Sequence, residues 1–342
     1  MTVERFNKIW DRLEEKAAAN ESESGILALR VLPHLIYDIN LGFEKPNNKR
    51  MVFIKIAKEN VLNSYSFPKS KGFELEQTVL PEDKGHYATI KLILNEKQYQ
   101  DIFTILSEDV IKKCSLETNE KMMLKAFISR LEMWQQFLDR YGTKELGETA
   151  QRGLYGELRV LRDVLIPIIG PKKSISSWRG PYKAQQDFQT SGFGIEVKTN
   201  SGKQHQNIQI ASEQQLDDTG LDALYLYHFS LKVIQNGGEN LPGIIDEIRD
   251  ICNTCLGVTA DFEDLLFRAG YLEEQRTNYE NIGYADRSSH IFLIKEGFPR
   301  ITEHGLIDGI GDVHYSINLS ACMPFIVSEE ELREFIKRNC DE

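Results

Sequence analysis

Apolar residues recur at helical spacing at the start of the chain and then alternate at strand spacing. Residues 25–95 contain strand-like runs separated by the turn sequences EKPNNKR and PEDKG. Longer amphipathic patterns predict helices over residues 95–114 and 118–141. A first helix is predicted over residues 1–20 from an apolar face formed by Phe6, Ile9, Trp10 and Leu13. This part of the chain is therefore expected to be a β-rich and helical domain.

The pattern breaks at GTKELGETAQRG, after which short strands and helices alternate. We place a domain boundary there, giving domains 1–145 and 146–342. SEQQL is predicted to start a helix, with Ser212 and Gln215 as a capping box. The other predicted elements are a helix over 153–165, a hairpin over 187–199, strands at QNIQIA and ALYLYHFSLKVI, helices over 241–255 and 260–269, strands over 290–295 and 313–319, and a last helix from 328.

Composition places the chain among ordinary globular proteins. It has 342 residues, 41% of them hydrophobic, which suffices for two cores. The absence of any apolar run of about 18 residues predicts that no segment spans a membrane. The first 20 residues are charged throughout and lack the apolar core of a signal peptide, so we expect a cytoplasmic protein.

The spacing of the cysteines gives only a weak indication of a metal-binding or redox site. Five cysteines without framework spacing are typical of a reducing compartment. Cys252 and Cys255 form a lone CxxC within a helical pattern, and no second pair follows at zinc-ribbon spacing. Zinc or redox chemistry and the packing of two small hydrophobic side chains are both open readings, and the second is favoured.

One segment is basic although the chain carries a net charge of -11. Residues 171–205 contain six basic and two acidic residues, a local charge of +4. Chance clustering on a solvated face is one explanation. A positive surface around two acids also suits an enzyme that acts on a phosphate backbone.

The two acids of that segment lie on a predicted hairpin, DFQTSGFGIEVKTNS. A two-residue turn at Ser191-Gly192 places Asp187 opposite Glu196, on one face of the sheet. Strand alternation adds Lys198 to this face and sends Val197 to the other. Because opposed carboxylates repel, we expect solvent, the lysine or a metal ion to offset the repulsion.

A third acid, Glu157, lies in GLYGELRVLRDVL. The apolar stripe of this predicted helix consists of Leu154, Leu158, Leu161 and Leu165. Glu157 falls at the edge of the stripe. Helix geometry alone favours a boundary glutamate that reaches solvent or pairs with Arg162.

A glutamate on a helix, an aspartate on a strand and Glu-Val-Lys on the partner strand together resemble the PD-(D/E)XK nuclease superfamily. Gln186 stands where the signature has proline. GLYGELRVL, DF, GIEVKT and IQIASEQQL are most similar to a bacterial family of PD-(D/E)XK members linked to restriction or phage-defence gene clusters. The resemblance covers residues 125–235 well and the rest weakly. It implies an α/β (α+β) fold, with a restriction-endonuclease-like mixed sheet flanked by helices in the C-terminal domain.

The resemblance also implies a site. Its catalytic residues would be Glu157, Asp187, Glu196 and Lys198. Mg²⁺, with Mn²⁺ as a substitute, would be held by Asp187, Glu196 and the backbone carbonyl of Val197. Gln209 would support the site. Arg179, Lys183, Lys203 and His205 are candidates for contact with the nucleic-acid backbone, and a plain surface charge is the alternative for each.

The implied activity is Mg²⁺-dependent hydrolysis of DNA phosphodiesters by an endonuclease of a bacterial restriction or antiviral defence system. A nuclease-like DNA-binding or scaffold subunit with little or no cleavage is the main alternative, and a metal-free protein-interaction domain is a third. DNA is the expected partner. The chain lacks a GxxxxGK[ST] loop, so an ATPase or a methyltransferase would be a separate protein. A homodimer is compatible with the sequence.

Overall fold

A computed structural model describes residues 3–19, 24–35, 37–61, 72–79, 85–201 and 207–340. The chain divides into two compact units, Met1–Lys144 and Glu145–Glu342. This division falls one residue from the expected boundary. Across the described ranges, no helix combines the length and the apolar character needed to cross a bilayer. The predicted positions Lys203 and His205 lie outside the described residues.

The first unit contains one antiparallel sheet and three α-helices within its described residues. The elements are α1 (Val3–Ala19), β1 (Gly25–Val31), β2 (Asp38–Lys45), β3 (Lys49–Ala57), β4 (Phe73–Thr78), β5 (Tyr87–Leu94), α2 (Gln100–Cys114) and α3 (Glu120–Tyr141). The strand order is β1-β2-β3-β5-β4, and every neighbouring pair is antiparallel.

The predicted apolar face of α1 packs into the core of this unit. Phe6, Trp10 and Leu13 are buried, whereas Ile9 is half-buried. Trp10 Nε1 donates a hydrogen bond to the carbonyl oxygen of Gly42 on β2, at 3.2 Å. The indole N–H is thereby satisfied away from water, and the helix is tied to the sheet.

The second unit contains a mixed sheet with helices against it, as predicted. Its elements are α4 (Glu148–Val160), α5 (Ile166–Ser177), β6 (Phe188–Gln189), β7 (Phe193–Ser201), β8 (Asn207–Ile210), β9 (Ala223–Gln235), β10 (Glu239–Asn240), α6 (Leu241–Cys252), α7 (Val258–Arg268), β11 (Ile282–Ile294), β12 (Tyr315–Asn318), α8 (Leu319–Cys322), β13 (Ile326–Val327) and α9 (Glu329–Cys340). The strand order in the mixed sheet is β10-β11-β9-β7-β6, with β13 paired to β11, and β8 and β12 form a separate pair.

Helix α4 crosses β7 at very close range. A Cβ atom on Gly156 would lie 2.3 Å from Thr199 Cγ2 and 3.4 Å from Val197 Cγ1. Only glycine fits this crossing, since real Cβ atoms do not approach other atoms so closely. The crossing brings the residue that follows, Glu157, to the strand that carries Glu196.

The helical segment after α4 is longer than predicted. One π-helical turn, Leu161–Leu165, follows α4, and α5 continues to Ser177. This segment contains IPIIGPKKS, whose proline and glycine residues are unfavourable inside a helix. The structure accommodates them with a kink at Gly170, whose φ of 75° is outside the helical range.

The prediction of a helix starting at SEQQL was wrong. Residues 213–216 form turns, although Gln215 does reach back with its side chain to accept a hydrogen bond from the N–H of Ala211, at 2.8 Å. Donors from distant segments occupy the carbonyl groups that a helix would use. The Gln186 side chain donates to the carbonyls of Gln214, Gln215 and Asp217, and Arg300 donates to that of Leu216.

Candidate active site

The hairpin that carries the two acids has the predicted register. Phe188 pairs with Ile195, and Gln189 pairs with Gly194. The N–H of Thr190 donates to the carbonyl oxygen of Phe193 at 2.9 Å, which closes a two-residue loop. β6 therefore ends where a turn at residues 191 and 192 requires.

Asp187 is held at both its backbone and its side chain. The N–H groups of Arg179 and Gly180 donate to its carbonyl oxygen at 2.7 and 3.0 Å. Its Oδ2 atom accepts a hydrogen bond from the N–H of Val197 at 2.7 Å. The aspartate thus substitutes for a strand partner beside β7, and its second oxygen, Oδ1, is left for other contacts.

Glu196 and Lys198 meet on one face of β7. Lys198 Nζ lies 2.8 Å from Glu196 Oε1, and the glutamate side chain is only 1% exposed. Glu196 Oε2 has no hydrogen-bond partner among the described residues. A buried carboxylate oxygen without a donor is costly, so this oxygen is suited to contact a cation or a hydrogen-bond donor.

Glu157 reaches the same region from α4. Its Oε2 atom accepts a hydrogen bond from Trp178 Nε1 at 2.7 Å. Arg162 instead contacts Glu239 and, at 2.7 Å, Glu247. The predicted pairing of Glu157 with Arg162 is therefore wrong, and Trp178 holds the half-buried glutamate side chain instead.

Gly180 brings two of the carboxylates to one point. A Cβ atom placed on it would lie 2.6 Å from Glu157 Oε2 and 2.9 Å from Asp187 Oδ1. Both oxygens thus border the space that a side chain at this position would fill. Together with the Glu196–Lys198 pair, they form what we call the carboxylate cluster: Glu157, Asp187, Glu196 and Lys198.

The electrostatics of the carboxylate cluster reflect burial and mutual repulsion. Burial raises the pKa of Glu196 to about 8; the charge of Asp187 adds to this effect, and that of Lys198 opposes it. Burial and the Asp187 charge also raise the pKa of Glu157 well above its usual range. Burial raises the pKa of Asp187 as well, against the opposing influence of Lys198 and the Val197 N–H. One lysine does not neutralise three acids, so the cluster favours a further positive charge.

Lys198 stays protonated in this setting. Burial alone would lower its pKa, but the carboxylates of Glu196 and Asp187 raise it. Its ammonium group also donates to Gln215 Oε1 at 2.8 Å. The lysine is therefore held between a carboxylate and an amide oxygen.

Gln186, which stands at the proline position of the signature, connects the hairpin to the Gln215 turn. Its side chain is 1% exposed. Its amide nitrogen lies 3.3 Å from the carbonyl of Gln214 and 3.2 Å from that of Asp217. The residue before Asp187 thus fixes the segment whose Gln215 holds Lys198.

The remaining predicted residues lie outside the carboxylate cluster. Gln209 is exposed on β8, opposite Ser316, and Gln215 takes the supporting position that we expected Gln209 to have. Arg179 and Lys183 are exposed, the first directly beside Asp187 in the hydrogen-bond pattern. Sequence reasoning missed Trp178, Gly180 and Gln215. The sequence around these residues gave little indication of a role, because Trp178 contacts Glu157 and Gln215 contacts Lys198, and both partners are distant in sequence.

The donor atoms suit a magnesium site made of two carboxylates and a backbone carbonyl. Asp187 Oδ1 borders the space beside Gly180, and Glu196 Oε2 has no donor. No set of three or more His, Cys, Asp or Glu side chains in the described part of the chain has a metal-binding arrangement. Mg²⁺ does not require one, because it keeps several waters and uses one or two carboxylates. These residues therefore fit a hard divalent cation.

In the described part of the chain, the CxxC pair belongs to no group of three or more potential metal ligands. Cys252 is buried in α6 and Cys255 is half-buried, and both thiols are free. Burial raises the pKa of Cys252 to about 11, so its reactive thiolate form is scarce near neutral pH. Packing as a small hydrophobic side chain accounts for Cys252.

Comparison with known proteins identifies the family. The model of the family described as "Putative PD-(D/E)XK family member" (DUF4420) matches residues 6–320. Neither the curated proteins nor the solved structures yielded a match to the chain. The family match spans both units and includes the helix, the hairpin and the carboxylate cluster. The chain therefore belongs to this PD-(D/E)XK family.

Proposed function

We propose that this protein is a divalent-metal-dependent DNA endonuclease, a hydrolase of phosphodiester bonds that serves a bacterial restriction or phage-defence system. The observation that carries the proposal is the convergence of Glu157 from α4, Asp187 from the residue before β6, and Glu196 and Lys198 from β7. Glu196 is buried and the other three are half-buried, and acids gathered in this way are costly for stability. A catalytic use of the cluster explains why the fold contains it.

Asp187 and Glu196 would hold Mg²⁺ together with the Val197 carbonyl. The Val197 N–H points to Asp187, and the N–H and C=O of one strand residue face the same neighbouring strand, so this carbonyl lies on the Asp187 side. When bound, the cation would polarise the phosphate and lower the pKa of a water ligand. The same charge would relieve the repulsion between the opposed acids.

Lys198 is placed for work on the attacking water or on the phosphate. As an ammonium group, it can orient a water molecule and stabilise negative charge that develops on the phosphate. Gln215 and Glu196 fix its position. Glu157 would hold water at the Gly180 side of the cluster.

A cleavage assay tests the proposal. Supercoiled plasmid and linear duplex are incubated with the wild-type protein in Mg²⁺, in Mn²⁺ and in EDTA. We expect nicking or cutting only with the metals, and loss of cleavage in Asp187→Asn and Glu196→Gln. Asparagine is chosen for position 187 because its amide oxygen can still accept the Val197 N–H, whereas alanine would leave this donor unpaired at a cost of about 1–3 kcal/mol.

The exposed Glu296→Gln variant serves as the matched control, since it removes an acid far from the cluster in sequence. Equal cleavage by Asp187→Asn and wild type would refute the catalytic assignment. Metal-independent DNA binding with no cleavage under any condition would favour the scaffold alternative.

A further inference from the structure

A polar cleft lies beside the backbone segment that holds Asp187. Its volume is about 580 Å³, within the usual range for ligand sites. One wall comes from α5 and the segment after it, and the other from the hairpin tip. The lining residues are Ile169, Lys173, Ser176, Ser177, Arg179, Gln189, Thr190, Ser191 and Asn339.

The cleft is continuous with the cluster through the backbone. Arg179, in its lining, donates its N–H to the carbonyl oxygen of Asp187 at 2.7 Å. The next residue, Gly180, borders the Glu157 and Asp187 carboxylates. The lining of the cleft and the border of the cluster therefore include adjacent residues of one segment, Arg179 and Gly180.

The charge of the cleft suits phosphate. Its described lining includes the cationic side chains of Lys173 and Arg179 and no carboxylate, in a chain with a net charge of -11. Hydroxyl and amide groups at Ser191 and Asn339 add hydrogen-bonding capacity. Such groups make most of the phosphate and sugar contacts in protein–DNA complexes.

The lining also distinguishes a backbone site from a base site. Proteins that hold bases of single strands stack them on aromatic rings. The described lining contains no aromatic residue, and Ile169 is its one large apolar side chain. A free nucleotide would find no stacking partner here.

We propose that this cleft binds the sugar–phosphate backbone of the DNA strand beside the phosphate that is cut. The inference rests on the proposed function and extends it, because it assigns the path of the substrate strand to the side of α5 and the hairpin tip. Lys173 and Arg179 are the contacts that it predicts.

Binding measurements in EDTA test the cleft without cleavage. Fluorescence anisotropy of a labelled duplex gives the affinity at several salt concentrations. Lys173→Ala and Arg179→Ala should each weaken binding and lower the slope of log K against log salt by about 0.9, the loss expected for one phosphate contact. Ser191→Glu adds a negative charge at the exposed hairpin tip and should also weaken binding.

Lys295→Ala is the control, because Lys295 is exposed and outside the lining. It should leave the salt slope unchanged. If Lys173→Ala and Arg179→Ala bind like this control while wild type binds and cuts DNA, the cleft inference alone fails. If the wild-type protein binds DNA with the predicted slopes but cleaves it with neither Mg²⁺ nor Mn²⁺, the cleft inference stands and the catalytic proposal fails. If the wild-type protein binds no DNA, the cleft inference and the catalytic proposal both fail. In that case, saturable binding of adenosine monophosphate that is lost in Arg179→Ala would assign the cleft to a free nucleotide.

Discussion

At the scale of single residues, two other side chains fix the position of the Lys198 ammonium group. Glu196 Oε1 and Gln215 Oε1 each lie 2.8 Å from its ammonium group. These two partners come from different segments of the chain. Its role can therefore be separated from that of the acids.

Lys198→Ala should lose cleavage by about 10²–10⁴-fold, the usual contribution of a positioned acid–base group. Mg²⁺ binding, measured by calorimetry, should persist or tighten, because a nearby positive charge is removed. Asp187→Asn should weaken both cleavage and Mg²⁺ binding. Loss of Mg²⁺ binding in Lys198→Ala would contradict this separation of roles.

Gln215→Ala should lower kcat with little change in KM, since Gln215 positions the lysine rather than the substrate. Gln215→Glu retains an acceptor for the ammonium group and should recover part of the rate. A steady-state analysis of the two variants checks this. Equal defects in both would indicate that the amide of Gln215 only supports the local fold.

The raised pKa of Glu196 makes the stability of the metal-free protein dependent on pH. The value is about 8 in the folded chain against an ordinary 4.5. Between these values the folded state holds a proton that the unfolded chain has lost, so stability falls as pH rises through this window. The stability that protonated Glu196 contributes is fully present below about pH 4.5 and is lost above about pH 8.

In EDTA, the melting temperature of Glu196→Gln should therefore exceed that of wild type by an increasing margin as pH rises from 5 to 8. At pH 8, Mg²⁺ should reduce this difference in melting temperature. Differential scanning calorimetry of both proteins across this range measures the effect. Glu296→Gln should follow wild type at every pH. A constant offset between wild type and Glu196→Gln would show that the carboxyl does not titrate in this window.

At the scale of elements, the crossing of α4 over β7 sets the geometry of the site. Gly156 lets helix and strand approach closely. A Cβ atom added to Gly153, one turn earlier in α4, would have no neighbour within 4 Å. The two glycines thus test packing and helix propensity within one helix.

Gly153→Ala should stabilise the protein by about 0.5–1 kcal/mol through helix propensity. Gly156→Ala gains the same propensity but forces the helix away from Thr199, at an overpacking cost of about 1–3 kcal/mol. Urea unfolding compares the two free energies. Because Glu157 follows Gly156, Gly156→Ala should also lower cleavage. Equal stability of the two variants would contradict the close crossing.

At the scale of the whole molecule, the second unit contains the entire cluster. Every contact described for Glu157, Asp187, Glu196 and Lys198 is made by residues between 145 and 342. This unit also has its own sheet and its own buried core.

A fragment of residues 145–342 should therefore melt cooperatively and keep metal-dependent cleavage. Circular dichroism reports the folding, and the plasmid assay reports the cleavage. An unfolded fragment would contradict the autonomy of the unit. A folded fragment that binds Mg²⁺ but does not cut would assign a substrate role to residues 1–144.

The sequence by itself determined the features that depend on short-range geometry. The two-residue turn at residues 191 and 192 fixes the register of the hairpin, because a one-residue slip would reverse every side chain. It follows that Glu196 and Lys198 share a face, as their contact shows. The apolar spacing of α1 and α4 likewise decided which of their residues are buried.

Only the tertiary structure decided the contacts between distant segments. Helix geometry sent Glu157 to solvent or to Arg162, but Trp178 captures it and Gly180 makes room for it beside Asp187. SEQQL carries a helix-start pattern, yet Gln186 occupies the carbonyls that helix would need and so orients Gln215 toward Lys198. A local pattern cannot report such donors, because a buried carbonyl accepts whichever N–H the fold brings nearest.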